Sequence, residues 1–199
     1  MQRSCQPWVH TLPLLLLLPA AQPLAAGDTL RWGLQAGLMA PLQTDLKIVT
    51  GSGLNPLGGL HLDWNLSRSQ TLRTRVDAGF FSSTDQSAST ASFQQTIHTR
   101  FRNVSLGAEY LFRPGGGPLT LGPGIYLIRW MAHSTNSFVT PTGTFNPSGT
   151  STWTREGFGV AAGLRLSRHL ETEARITLSH DGYENMPTRM GSFNLVWQF

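Results

Sequence analysis

Cysteine is almost missing from this 199-residue sequence; Cys5 is the only one. One thiol builds neither a disulfide framework nor a zinc ribbon. Lysine is as scarce: of the 15 Lys and Arg residues only Lys47 is a lysine. Charged residues of all kinds reach 13%, about half the usual share. They form no basic run, which excludes the electrostatic stripe of a nucleic-acid binder. Past residue 27 no run of 18 or more apolar residues occurs, so no helix is expected to cross a bilayer. Disorder is excluded as well, because charge is low while 40% of residues are hydrophobic. The size suits a single domain. Arginine without lysine points to guanidinium groups held in fixed pairs rather than to a solvated surface.

Residues 1–26 read as a secretory signal peptide. Leu12 to Leu18 form a short apolar stretch broken by Pro13, and small residues through Ala25, Ala26 and Gly27 supply a cleavage site. The apolar stretch is too short to span a bilayer. The remaining residues, 27–199, form one domain without cysteine.

The dominant period in that domain is two, the signature of strands with two unlike faces. Eight segments alternate in this way. Leu30, Trp32, Leu34, Ala36 and Leu38 form the apolar row of the first, and Leu60, Leu62, Trp64 and Leu66 that of the second. Leu72 to Phe80, Val104 to Phe112, Leu119 to Leu127, Phe158 to Leu166, Leu170 to Leu178 and Phe193 to Phe199 follow. The fifth segment loses phase at Ile128 and Arg129, where a β-bulge is expected. Eight strands of about ten residues match tilted membrane-spanning strands. The connections, taken as 41–56, 67–70, 82–95, 113–118, 132–152, 167–169 and 180–187, run alternately long and short. An up-and-down barrel places alternate connections at one end, and transmembrane barrels are trimmed at one end and elaborated at the other. A soluble sandwich has no reason to sort its loops this way.

Side-chain size decides which face lines the interior. The polar rows carry Gly33, Gly37, Gly59, Gly79, Gly107, Gly122, Gly124, Gly157, Gly159 and Gly163. Glycine on a solvated strand face weakens the strand without gain, whereas the interior of an eight-stranded barrel barely admits side chains. The polar rows therefore face inward and the apolar rows face lipid. The fold class is all-β: an eight-stranded antiparallel up-and-down transmembrane β-barrel.

The inward rows hold Arg31, Arg73, Arg75, Arg165 and Arg175 against Asp63, Asp77, Glu109, Glu171 and Glu173, five of each sign. Ions in a low-dielectric interior need partners, so these ten residues are expected to form a salt-bridged network that closes the lumen near the short-turn end. Asp63 is expected beside Arg73 or Arg75, and Arg165 beside Glu171 or Glu173. Among the outward residues Trp32, Trp64, Tyr110, Phe112, Trp197 and Phe199 cluster near the same end, as an aromatic girdle at a membrane boundary does. Phe80, Trp130, Trp153 and Phe158 form a candidate girdle at the other.

With its leader, its eight segments, the Leu121-Gly122-Pro123-Gly124-Ile125-Tyr126 pattern and its end in Phe193-Asn194-Leu195-Val196-Trp197-Gln198-Phe199, the chain resembles the small eight-stranded outer-membrane β-barrel proteins of Gram-negative-type bacteria, the group of the OmpA transmembrane domain and OmpX. The resemblance implies location in the outer membrane after cleavage of the signal peptide. It also implies contact with outer-membrane lipid and lipopolysaccharide, and recognition of the terminal strand by the barrel assembly machinery. The resemblance is specific for architecture and not for activity; the function expected is a non-enzymatic role in envelope structure, adhesion or protection, without a cofactor.

Two alternatives come from relatives of that group, a lipid-A-modifying enzyme and a carrier of small apolar molecules. For the first, Ser179-His180-Asp181 with Glu184 is the nearest candidate constellation. Adjacent Ser and His point to opposite faces of a strand, so the family's deacylase pattern is not met. For the second, Pro123 and the break at Ile128–Arg129 are the only hints of a lateral opening. His98, His133 and His180 share the long-loop end without a metal-ligand spacing. The longest external connection holds Asn136, Phe138, Phe145 and Asn146 and names no partner.

Overall fold

The computed structural model describes residues 30–43, 47, 50, 53–82, 84–90, 93–183 and 186–199, and the backbone alone for 180–183, 186 and 187. The expected signal peptide lies outside these residues. Ten strands make one antiparallel sheet: β1 (Leu30–Pro41), β2 (Asn55–Asn65), β3 (Gln70–Phe80), β4 (Thr84–Thr90), β5 (Phe93–Phe112), β6 (Leu119–Thr140), β7 (Gly143–Phe145), β8 (Ser148–Arg165), β9 (Leu170–Tyr183) and β10 (Met186–Gln198). Neighbours follow chain order, β1 pairs with β10, and a β5–β6 pairing closes the ring. The ring holds eight strands, because β4 and β7 lie outside it as continuations of β3 and β8 along β5 and β6. Closure removes the exposed edges that an open sheet would present. No helix among the described residues is long and apolar enough to cross a membrane.

The wall is inside out relative to a water-soluble barrel. Leu34, Leu60, Val76, Leu106, Ile125, Val160, Ile176 and Leu195 are exposed around the circumference, while Asp63, Arg73, Arg75, Asp77, Glu109, Glu171 and Glu173 are buried. Crowding accounts for the inward glycines. A methyl at Gly107 would lie 2.6 Å from the Tyr126 ring, at Gly124 2.7 Å from the Tyr126 hydroxyl, and at Gly159 2.8 Å from the same ring. Three neighbouring strands thus give up side chains so that one tyrosine ring can lie against the inner wall. The turn 113–118 needs glycine for a different reason: Gly115 and Gly116 adopt φ of 60° and 69°, which favours residues without a Cβ.

Three expectations need correction. The bulge at Ile128–Arg129 does not form. The ladder between β5 and β6 runs from Gln94↔Val139 to Glu109↔Gly124 in one register, and β6 and β8 pair without a shift across the same residues. Ile128 faces the lumen and Arg129 faces out. What changes there is the chemistry of the two faces, not the backbone phase. Trp130 and Trp153 consequently do not join an outer girdle. Trp130 is buried inside the barrel and stacks on Trp153 at 6.4 Å between ring centroids, whereas Phe80 and Phe158 do face outward. Finally, connections 82–95 and 132–152 are not loops but the upper parts of β5, β6 and β8 with β4 and β7. Their Thr and Ser residues are polar yet compatible with strands, so the barrel continues as a tall polar sheet.

Candidate functional site

Among the described residues, buried charged side chains converge in the lumen. Period two places Asp63 on β2, Arg73, Arg75 and Asp77 on β3, Glu109 on β5 and Glu171, Glu173 and Arg175 on β9, all facing inward. Arg73 grips Asp63 with both ends of its fork, Nε to Oδ1 at 2.7 Å and Nη2 to Oδ2 at 2.9 Å, and donates from Nη1 to Glu173 at 2.8 Å. Arg75 donates from Nη1 to Glu109 and to Glu173, each at 2.8 Å, and its Nε lies 3.1 Å from Asp77. Arg175 reaches across to Asp77 at 2.7 Å and lies 3.5 Å from Glu109. Charge-assisted pairs of this kind are the strong ones, and Arg suits them because its planar fork matches a carboxylate.

Uncharged residues complete the network. The Tyr126 hydroxyl donates to Glu109 at 2.6 Å, and the Arg175 guanidinium lies 5.4 Å from the Tyr126 ring centroid. The Gln35 amide donates to Asp77 and its carbonyl accepts from Arg75. The Gln198 amide donates to Asp63 at 3.0 Å, and Asn194 to Glu173 at 3.4 Å. Sequence reasoning passed over Gln35, Tyr126, Asn194 and Gln198 as site members, although each stands on an inward row; neutral side chains carry no charge-balance signal.

The ten charged residues are not equivalent. Three arginines and five acids make up the buried network, and the other two arginines stand lower. Arg31 lies opposite Asp63 in register. Arg165 lies opposite Glu171 but forms no ion pair with it among the described residues, the nearest guanidinium nitrogen to Glu171 being that of Arg73 at 3.8 Å. Arg113, which counting by rows missed because it sits in a turn, is buried beneath the network with its Nε 3.4 Å from the Thr120 hydroxyl. Burial first, and then the nearby Arg165, lowers its pKa below the usual guanidinium value.

Above this layer the lumen is apolar. Met39, Leu57, Phe81, Phe101, Tyr126, Ile128, Trp130, Ala132 and Met190 form one cluster, with Trp153 packed against it. Phe81 and Trp130 have ring centroids 5.3 Å apart. Between the layers a cavity of about 40 Å³ remains, bordered by Tyr126, Ile128 and Arg175, room for about one water molecule.

On the outside Trp32, Trp64, Phe112, Trp197 and Phe199 are exposed near the short turns, with Tyr110 half-buried in the same row, and Trp32 stacks on Phe199 at 4.4 Å. Ser179 is buried and its hydroxyl donates to the Glu156 carbonyl at 2.8 Å; the side chains of His180, Asp181 and Glu184 lie outside the described residues. His98 bonds Asp85, and His133 lies 3.0 Å from the Thr150 hydroxyl. Phe138 packs between Phe93 and Phe145 on the tall sheet. Near Pro123 the β5–β6 ladder lapses at 110–111 and resumes in register at Phe112↔Leu121. Above that point it is unbroken, so the lateral opening that the carrier alternative would need is not found between β5 and β6.

An outward apolar belt on a closed eight-strand ring with a polar interior is an arrangement that only a bilayer stabilises. The fold is that of a small outer-membrane β-barrel. No family model and no curated protein matches the sequence, but solved structures match the fold. The chain is similar to a major outer membrane protein from Thermus thermophilus, at 13% identity over 85% of this chain and 99% of that one, with a TM-score of 0.49. It is similar to the N-terminal β-barrel domain of OprF from Pseudomonas aeruginosa, at 14% identity over 85% and 97%, with a TM-score of 0.46. It is also similar to Ail, the attachment invasion locus protein of Yersinia pestis, at 9% identity over 86% and 97%, with a TM-score of 0.44. At these identities the likeness concerns the fold and not the activity.

Proposed function

We propose that this chain is a non-enzymatic integral protein of the bacterial outer membrane, with a closed lumen and a role in envelope structure, adhesion or protection. The observation that carries the reading is the filled interior. Among the described residues the charged layer of Arg73, Arg75, Arg175 and their acids is backed by the apolar layer around Trp130, which supports a lumen closed to ions and small solutes. The work is then left to surfaces: the belt that meets lipid and the polar sheet of β4 to β8 that rises beyond it. Loops and extensions on a rigid scaffold are where such proteins carry function. Of the ten lumen charges, Arg73, Arg75, Arg175 and the five acids act as the plug, with Arg31 and Arg165 below it, and Trp32, Trp64, Tyr110, Phe112, Trp197 and Phe199 act as the periplasmic girdle. Residues 1–26 act as a cleaved signal peptide, lipid and lipopolysaccharide are the surrounding partners, and the last strand is read by the barrel assembly machinery. No nucleic acid or cofactor is involved. Against a lipid-modifying site, Ser179 spends its hydroxyl on a backbone carbonyl; against a carrier, the β5–β6 ladder is continuous above the plug. Planar-bilayer recording tests the reading: protein that shows heat-modifiable mobility on gels gives no steady conductance, and a steady porin-level conductance from the same folded protein refutes it.

A further inference from the structure

The outer surface of β5 and β6 changes character at one level. Below it Leu106 and Val104 on β5, and Ile125 and Leu127 on β6, are exposed apolar residues. Above it the same rows carry Arg102 and Arg100 on β5 and Arg129 on β6, all exposed. Register puts Arg129 opposite Val104, Arg102 opposite Met131 and Arg100 opposite His133. Arg129 and Arg102 are therefore diagonal neighbours across one strand pair, about 7–8 Å apart at their roots, within the reach of two long side chains that share one ligand. Arg102 is held against the wall, its guanidinium carbon 5.9 Å from the Phe80 ring centroid. None of the three forms an ion pair with an acid among the described residues, and this includes Glu156, which stands opposite Leu127 on β8. Directly below, a groove of about 550 Å³ runs down the outer wall over Leu106, Ala108, Ile125, Leu127 and Phe158.

Inside the barrel Arg73, Arg75 and Arg175 each face carboxylates. The outward arginines at the edge of the belt face none, and they sit where the headgroups of an outer leaflet lie. Paired guanidinium groups bind phosphate in fork geometry. We propose that Arg102 and Arg129, with Arg100 above them, bind the phosphate of a phosphorylated outer-leaflet glycolipid whose acyl chain lies in the groove over Leu106 and Ile125. The site rests on the outer-membrane reading above and adds to it a defined lipid and a defined place on the wall.

Native mass spectrometry of the folded full-length protein in a mild detergent tests this with three probes: diphosphoryl lipid A, the same lipid A with both phosphates removed, and inorganic phosphate. The wild type is expected to retain one diphosphoryl lipid at about tenfold lower concentration than the phosphate-free lipid, as charge-assisted bonds to one group imply. Arg102→Gln/Arg129→Gln is expected to lose that preference, and Arg168→Gln, in a short turn at the opposite end, to keep it. Heat-modifiable mobility is scored on the same samples. A folded double variant without the preference speaks to the site, whereas a wild type that never inserts into bilayers sinks the membrane reading itself. Equal retention of the two lipids by the wild type, a preference that survives in the double variant, or displacement of the diphosphoryl lipid by inorganic phosphate at equal concentration would overturn the proposal.

Discussion

The lower and upper halves of the lumen fill the same cylinder with opposite chemistry. In the lower half Arg73, Arg75 and Arg175 meet Asp63, Asp77, Glu109 and Glu173; in the upper half Met39, Phe101, Ile128 and Trp130 meet one another. The outer wall explains the contrast. Beside the charged layer the outside is Leu and Trp, matched to lipid. Beside the apolar layer it is Arg102, Arg129 and Thr154, matched to headgroups and water. On β6 the inversion happens within one turn of the pleat, where Leu127 faces out and Tyr126 in, and then Ile128 faces in and Arg129 out. The barrel is built as a membrane protein below this level and as a water-soluble one above it. Burial demands satisfied partners rather than apolar ones, and the solvent outside the wall decides which kind faces in.

Four substitutions separate the halves, in descending order of effect. Arg75→Ala removes the partner of Glu109 and Glu173 at once, and breaking a buried ionic cluster is expected to cost about 3–5 kcal/mol in reversible denaturant unfolding from vesicles. Trp130→Ala empties the centre of the upper layer and is expected to cost about 3–4 kcal/mol in the same assay, through lost contacts and a cavity rather than through unpaired charge. The two then differ in salt dependence: raised ionic strength should soften the first defect by screening charges that water newly reaches, and leave the second unchanged. Leu106→Arg places a cation on the lipid side and is expected to cost about 2–4 kcal/mol in bilayers, with little effect for Ser87→Arg on exposed β4. Arg165→Gln, partly exposed and without an ion pair to Glu171, is expected to shift stability by less than about 0.5 kcal/mol. A large loss there would mean that the charged layer extends down to the short turns.

Much of the architecture was legible because its causes are local. A period of two, short turns such as the one through Gly115 and Gly116, and the sparing of bulk on one face can each be read over ten residues. Gly107, Gly124 and Gly159 show the cause of that sparing, since all three clear the path of Tyr126. The inversion was not legible. At Ile128–Arg129 a change of chemistry looks the same in sequence as a change of phase, and only pairing with β5 and β8 tells them apart. The tall sheet was read as loops because Thr and Ser outside a membrane have no apolar row to mark their period. Within the network, row parity placed the charged residues on one face and the expected Asp63–Arg73 pair forms, but further partners are taken across the lumen. Arg73 takes Asp63, its register partner on β2, and also Glu173 across the lumen, while Arg165 stands opposite Glu171 in register and does not pair with it, so register alone predicts the first pair and not the others.

The orientation of the wall carries the whole account, and oxygen accessibility of spin labels on β5 measures it directly. Cys5→Ser leaves the sequence free of cysteine, so single cysteines at Asn103, Val104, Ser105, Leu106 and Ala108 can be labelled one at a time in vesicle-inserted protein. The account predicts high access for oxygen dissolved in the bilayer at positions 104, 106 and 108, and low access at positions 103 and 105. High access at 103 and 105 with protection at 104, 106 and 108 would contradict it.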